Sequence, residues 1–259
     1  MTPEKKALSQ SLLEESLAPH SVRYFDTSGS TNDEAMEWLM QGGATGSLVI
    51  ANQQTKGRGR LGRTWITPPG AALALSIILH PPIVYVHRLV WVGALAVADV
   101  CEMMLVENVP IPQPLPRVGI KYPNDVQIEQ RKVSGILTEA AWQESKLLGV
   151  VLGIGLNLNV EFPPELQTTA ANLSAFAPNL PDAPTLYQRL VARIIYWNER
   201  LASDELFNAW KSRLTTLGQR VKVNDLTGLA TDVTQDGYLL LKTDDGVIHR
   251  IIVGDVLLP

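Results

Sequence analysis

Gln53-Gln54-Thr55-Lys56-Gly57-Arg58-Gly59-Arg60-Leu61-Gly62-Arg63-Thr64-Trp65 sets four positive charges and three glycines between Lys56 and Arg63. Such a loop lets backbone amides approach a bound anion closely, and a polyphosphate is the guest that its charge suits. Two familiar spellings compete for it. Gly57, Gly59 and Gly62 match G-x-G-x-x-G, and Gly57 to Thr64 match a P-loop with Arg63 in the lysine position. Both require a helix directly after the glycines, with its N-terminus facing the phosphate. Trp65-Ile66-Thr67-Pro68-Pro69-Gly70 follows instead, and paired prolines forbid a helix there. Neither parallel-sheet nucleotide fold is therefore expected, and the stretch reads as a cationic flap between two strands.

Outward from the flap, Ser47 to Ala51 and Ala71 to Leu79 are apolar runs of interior-strand character. Upstream, Glu4 to Leu17 has helical spacing through Leu8, Leu12, Leu13 and Leu17, and Ser21 to Asp26 reads as a strand. Thr27 to Glu34 is a loop opening a helix that runs to Met40. Thr31 with Glu34 spells a capping box, which is compatible with a binding role for Ser30 and Thr31. Downstream, Val86 to Leu105 is a long apolar helix, and Ile111 to Pro116 is a proline-spaced surface connection. Two strands, one starting near Arg131 to Glu139 and one over Leu147 to Asn159, are expected to pair. Thr185 to Leu201 and Asp204 to Leu217 are amphipathic helices expected to pack on the sheet. From Gly218 the chain turns to short β-rich runs, Arg220 to Val223, Tyr238 to Lys242 and Val247 to Val253, with turns at Asp236-Gly237 and Asp245-Gly246. The pattern is α+β: a mixed sheet with helices, then a small β-barrel.

The chain has 259 residues, enough for one large domain with an appendage, and 46% hydrophobic against 19% charged residues reads as a soluble globule. A net charge of −4 argues against general nucleic-acid affinity, so the flap is a local basic feature. The one cysteine, Cys101, excludes an internal disulfide and a thiolate cluster, and its place within an apolar helix reads as core packing. No signal-peptide core is visible, and runs such as Ala71 to Leu79 are too short to span a bilayer, so a cytoplasmic compartment and no membrane are expected. His20, His80, His87 and His249 are scattered with no metal-ligand spacing, and no protein metal ligand is assigned.

Two further features point to chemistry. Lys121 ends the otherwise apolar run Val118 to Lys121, where its ammonium is placed to meet a phosphate or carboxylate. Gly153 and Gly155 share one face of their strand, so either something lies against the backbone there or the strand kinks.

The ordered set Ser30-Thr31-Asn32, Gln54 with Gly57 to Arg63 and Trp65, Lys121-Tyr122-Pro123-Asn124-Asp125, Gly135-Ile136-Leu137 with Glu139, and Gly153 to Asn157 resembles the biotin protein ligases in order and spacing. The resemblance covers nearly the whole chain. It departs at Leu61, where an arginine is frequent, at Tyr122, where a tryptophan is frequent, and in a long approach to Asn32. It implies a class II synthetase-like catalytic domain at 21–217, a helix at 1–20, and a C-terminal SH3-like barrel at 218–259. No N-terminal DNA-binding domain is expected, nor DNA as a partner. The implied reaction joins biotin to ATP as biotinyl-5′-adenylate and passes the biotinyl group to a lysine of the biotin carboxyl carrier domain of acetyl-CoA carboxylase. Biotin and ATP are its substrates, with Mg2+ arriving on ATP. The enzyme is expected to be a monomer or homodimer.

By the same resemblance, Ser30, Thr31, Asn32, Gln54, Gly57, Arg58, Gly59, Arg60, Lys121, Gly153 and Gly155 would bind biotin. Arg58, Arg60, Arg63, Trp65 and Asn157 would meet the nucleotide, although core packing suits Trp65 as well. Lys121, Arg58 and Arg60 would be catalytic, because a carboxylate attacking a phosphate brings two anions together. The barrel would aid ATP or carrier engagement, or simply cap the fold. Two rivals stand beside this: a lipoate ligase or transferase of the same fold, and a non-catalytic RNA binder using the flap.

Overall fold

The computed structural model describes residues 8–108, 113–252 and 256–257. Ser9 caps α1 (Gln10–Ser16) by accepting from Leu12 N at 3.3 Å. The first helix is thus shorter than the expected Glu4 to Leu17, whose first turn lies outside the described residues. Next come β1 (Val22–Ser28), α2 (Thr31–Met40), β2 (Leu48–Gln54) and β3 (Ala72–Leu79). A 3-10 stretch, Ile83–Arg88, leads into α3 (Leu89–Asn108), followed by β4 (Val118–Lys121), β5 (Asp125–Ile128), β6 (Arg131–Gln143) and β7 (Lys146–Asn157). Then follow α4 (Ala183–Glu199), α5 (Asp204–Ser212), β8 (Arg220–Val223), β9 (Leu226–Val233), β10 (Leu239–Lys242), β11 (Ile248–Ile251) and β12 (Val256–Leu257). The expected connection at Ile111 and Pro112 and the strand end at Val253 fall outside the described residues.

The main sheet has seven strands in the order β1-β2-β3-β7-β6-β5-β4. Only β1 with β2 is parallel; every other neighbour pair is antiparallel. Alternation then sorts the side chains into two faces. Ile50, Leu75, Ile154 and Ile136 point to the larger core under α3, a helix that is buried almost throughout. Helix α3 meets membrane-span criteria in length and composition, but its burial identifies it as a core helix.

Helices α4 and α5 pack chiefly on α3, and of the expected packing on the sheet the structure shows Tyr187 of α4 accepting from Ala74 N of β3 at 3.3 Å. The reason is Asp99, buried in α3, which accepts from Arg193 Nε at 2.8 Å, Trp197 Nε1 at 2.7 Å and the Arg213 guanidinium at 3.1 Å. A carboxylate buried so deeply needs such partners and draws both helices to it.

The opposite face carries small residues. Ala51, Ala74, Gly155, Gly135, Asp125 and Lys121 are cross-strand partners in one row across the sheet. Helix α2 covers one end of this face, where Ala35 and Leu39 meet Val49, Ile78 and Val151. Beyond α2 the small-residue row forms a shallow trough.

The C-terminal segment is a five-stranded antiparallel sheet of small-barrel type, in the order β11-β10-β9-β8-β12. Gly237 and Gly246 adopt φ of 82° and 86°, as the Asp-Gly turns require. Strand β9 lacked a signal of its own in the sequence.

Candidate active site

The trough is furnished from three directions. Helix α2 starts at Thr31, with Ser30 as its extended N-cap residue but without a side-chain capping bond. The expected capping box is therefore absent. Glu34 accepts instead from Ser28 Oγ at 3.0 Å, and the Thr31 hydroxyl is spent on Gln54. Gln54 Oε1 accepts from Thr31 N at 2.8 Å and Thr31 Oγ1 at 3.1 Å, while Gln54 Nε2 donates to Thr67 Oγ1 at 3.0 Å. Ser76 Oγ lies 2.8 Å from Thr31 Oγ1 and 2.6 Å from Asn32 Oδ1. Asn32 Nδ2 donates to Glu139 Oε2 at 2.6 Å. Thr31, Asn32, Gln54 and Ser76 thus form one continuous hydrogen-bonded cluster in the floor, with the buried Ser30 next to it at the helix start.

The two glycines of β7 are explained by what lies on them. A Cβ at Gly153 would overlap the Asn32 carboxamide, and a Cβ at Gly155 would overlap the Trp65 indole. The strand is not kinked for its own sake: its bare backbone seats two side chains of this chain. Trp65 also lies over Gly135, and its Nε1 is buried with no hydrogen-bond partner. A buried orphan N–H is costly, so the close seating of the indole on Gly155 is held against that cost by its packing.

The flap is a short hairpin. Arg58 and Thr64 form an antiparallel bridge, Trp65 N donates to Gly57 O at 2.9 Å, and Gly59 N donates to Arg63 O at 2.6 Å. Its tip turns through Leu61 (φ 55°) and Gly62 (φ 72°). Gly57 is buried against the Trp65 backbone, where a Cβ has no room. The root is tied down by Lys56 N donating to Gly29 O at 2.8 Å.

Arg58 forks onto Asp33 at 2.6 and 2.7 Å and reaches Glu139 at 3.3 Å. Hydrogen bonding to Asp33 raises its guanidinium above the ordinary value, against a smaller opposing effect of burial, so it is a permanent cation. Arg60 donates to Asn124 Oδ1 at 3.2 Å, and Asn124 Nδ2 donates to Ile136 O at 2.8 Å. Arg63 is exposed near the tip.

Lys121 ends β4 opposite Asp125, at the trough's far end from α2. Among the described residues its ammonium has no hydrogen bond or ion pair. Its strand is held from outside by the segment before β8. Ile120 N donates to Arg213 O at 2.8 Å, Thr215 N donates to Ile120 O at 2.9 Å, and Tyr122 N donates to Thr216 Oγ1 at 3.0 Å. Burial raises the Tyr122 hydroxyl, opposed in part by its bond with the Leu239 backbone in the C-terminal sheet.

Asn157 is buried and turned aside, donating to Ala171 O at 3.3 Å. Asp33, Thr67 and Ser76 have no role predicted from the sequence, and Glu139 enters there only as part of the family pattern, without a site role. Ser76 had a signal, since a lone hydroxyl in the apolar run Ala72–Leu79 needs a buried partner. Among the described residues no group of three or more His, Cys, Asp or Glu is placed to hold a metal ion.

Hydrogen-bonding groups of the floor lead to a trough edged by Arg58, Arg60 and Lys121, an arrangement suited to seating a polar small molecule beside an anion, as a ligase requires. The chain belongs to the biotin/lipoate A/B protein ligase family, whose model matches residues 24–157, and residues 216–258 match the biotin protein ligase C-terminal domain. It is 31% identical to the bifunctional ligase/repressor BirA of Bacillus subtilis, over 90% of this chain and 72% of that protein. It is 34% identical to the biotin–[acetyl-CoA-carboxylase] ligase of Mycobacterium tuberculosis, over 88% and 85%. Among solved structures, the biotin protein ligase from Aquifex aeolicus in complex with biotin and ATP superposes with a TM-score of 0.75 at 27% identity, over 92% of this chain and 97% of that one.

Proposed function

We infer that this protein activates biotin with ATP and transfers the biotinyl group to a lysine of a carrier protein. In the first step a biotin carboxylate oxygen bonds to the α-phosphorus and pyrophosphate leaves, giving biotinyl-5′-AMP. In the second, the carrier lysine's amine attacks the acyl carbon, AMP leaves, and the amine's proton goes to solvent. The observation that carries this reading is the family membership together with Lys121, whose ammonium has no ion-pair partner among the described residues and stands at the far end of the trough from α2.

Each residue takes a role its surroundings suit. Thr31, Asn32, Gln54 and Ser76 supply donors and acceptors to the ureido end of biotin by exchanging bonds they now make with one another. Gly153 and Gly155 seat Asn32 and Trp65 low on the strand, which leaves the ligand room to lie over those two side chains. Lys121 offsets the repulsion between carboxylate and α-phosphate, with Arg58 and Arg60 sharing the growing charge. Arg58 reaches phosphate only by leaving Asp33, so flap movement accompanies ATP binding. Closure also keeps water from an acyl-adenylate that water would hydrolyse. Mg2+ enters with ATP as part of the substrate.

The natural acceptor is a biotin carboxyl carrier domain of acetyl-CoA carboxylase, and the setting is cytoplasmic. Residues 21–217 act as the catalytic unit, including the segment before β8 that holds the Lys121 strand, and 218–259 as an appended barrel met by Tyr122 at the Leu239 backbone. Incubating the protein with MgATP, biotin and a purified carrier domain tests the whole reaction. A streptavidin-reactive carrier, lost when its target lysine is replaced by arginine, is the expected result. An unmodified carrier that accepts lipoate instead would transfer the assignment to the lipoate branch.

A further inference from the structure

Lys132 lies in β6, three residues before Gly135, and an odd separation in a regular strand puts two residues on opposite faces. The register between β5 and β6 slips here: Val126 pairs with Ser134 but Gln127 pairs with Lys132, leaving Val133 as an extra residue. This bulge turns Val133 into the core and brings Lys132 round to the trough face. Its side chain runs over Gly135, whose missing Cβ makes the room, with Cε and Nζ each 3.3 Å from where that Cβ would stand. The ammonium ends 2.7 Å from Asp125 Oδ1 and 5.4 Å from the Trp65 ring centroid.

The turn Asn124-Asp125 therefore gathers three cations: Arg60 on Asn124, Lys132 on Asp125, and Lys121 across the strand pair from Asp125. One carboxylate does not neutralise both lysines. An ion pair serving stability alone needs neither a bulge nor a glycine beneath it, and a pair still in contact with solvent contributes little.

We propose that Lys132 is a second phosphate-binding lysine of the reaction centre, held over Gly135 by Asp125 and presented to the triphosphate of ATP. An ammonium has three N–H donors, so the bond to Asp125 leaves others for a phosphate oxygen. The two lysines then hold the triphosphate from either side of Asp125, with Lys121 nearer the carboxylate of biotin. This assignment rests on the biotin-activating reading above.

Biotin-dependent exchange of labelled pyrophosphate into ATP, measured across MgATP concentration, tests it with K132M, K132R, D125N and the double variant D125N/K132M. K132M is expected to raise the KM for MgATP at least ~10-fold, equivalent to ~1.4 kcal/mol, while leaving biotin affinity within about twofold. K132R keeps a cation and is expected to retain most of the exchange. The double variant removes both charges, so no uncompensated carboxylate is left to disturb folding, and it is expected to remain as impaired as K132M. An unchanged KM in K132M, or recovery in the double variant, overturns the proposal and leaves a structural ion pair. Absence of exchange in the unsubstituted protein overturns the underlying reading instead, and the assignment with it.

Discussion

The carboxamide of Asn32 stands where a side chain at Gly153 would stand, and its nitrogen donates to Glu139 Oε2 at 2.6 Å. One contact thus joins the first turn of α2, the floor of β7 and the adjacent β6, and it requires glycine in the middle strand.

Gly153→Ala is accordingly expected to push Asn32 off Ser76 and Glu139. The cost in stability should be ~1 to 3 kcal/mol, as for other overpacked interiors. Biotin affinity should fall by more than the stability does, because the displaced residue also lines the floor. Urea unfolding and calorimetric titration with biotin check the two effects separately. Gly155→Ala should spare Asn32 and instead dislodge Trp65, seen as a red-shifted indole emission.

Arg60 joins the flap to the Asn124 turn and carries charge toward the phosphates. Arg60→Gly is expected to form biotinyl-5′-AMP and lose it to solvent, because the flap no longer closes over the intermediate. Rapid filtration after a single turnover measures retention. Retention equal to the unsubstituted protein would rule out the lid role.

Asp99 answers three donors from inside α3. Removing one partner of such a buried network leaves charge uncompensated, so Asp99→Ala is expected to cost ~3 to 5 kcal/mol. Because the Arg213 backbone carbonyl also accepts from Ile120 N in the strand of Lys121, the variant should lose exchange activity before it unfolds. Denaturation curves paired with activity at each urea concentration separate these outcomes.

Full burial pushes the Cys101 thiol above its ordinary value of 9.0 to about 12. A pKa raised on folding means the folded state holds its proton longer. The associated stability is fully present below pH 9 and is lost as pH rises from about 9 through about 12. Cys101→Ala should flatten that alkaline decline, and a thiol reagent at neutral pH should label the protein only after denaturation.

Much of this architecture is legible in the chain's order. The paired prolines after Trp65 dismiss the P-loop, the apolar runs mark β2, β3 and α3, and the spacing of Gly153 and Gly155 announces a face with something seated on it. What escapes is whatever depends on partners far apart in sequence. Nothing local to Asn32 says that it meets Glu139, and nothing local to Val133 says that it is the extra residue of a bulge. The capping-box spelling at Thr31 misleads for the same reason: Gln54, arriving from another strand, takes the hydroxyl first. Helices α4 and α5 look fit for the sheet because amphipathicity reports a buried face but not its neighbour, and Asp99 decides that neighbour.

The central claim is that Lys121 works on biotin and ATP together. Its most direct test is biotin-dependent exchange of labelled pyrophosphate into ATP by the purified protein, with Lys121→Ala as the control. Exchange that requires biotin and falls at least ~10²-fold in the control is the predicted result, in the range for removing one group that stabilises developing charge. A folded protein that shows no exchange with magnesium present, or an undiminished rate in Lys121→Ala, would contradict it.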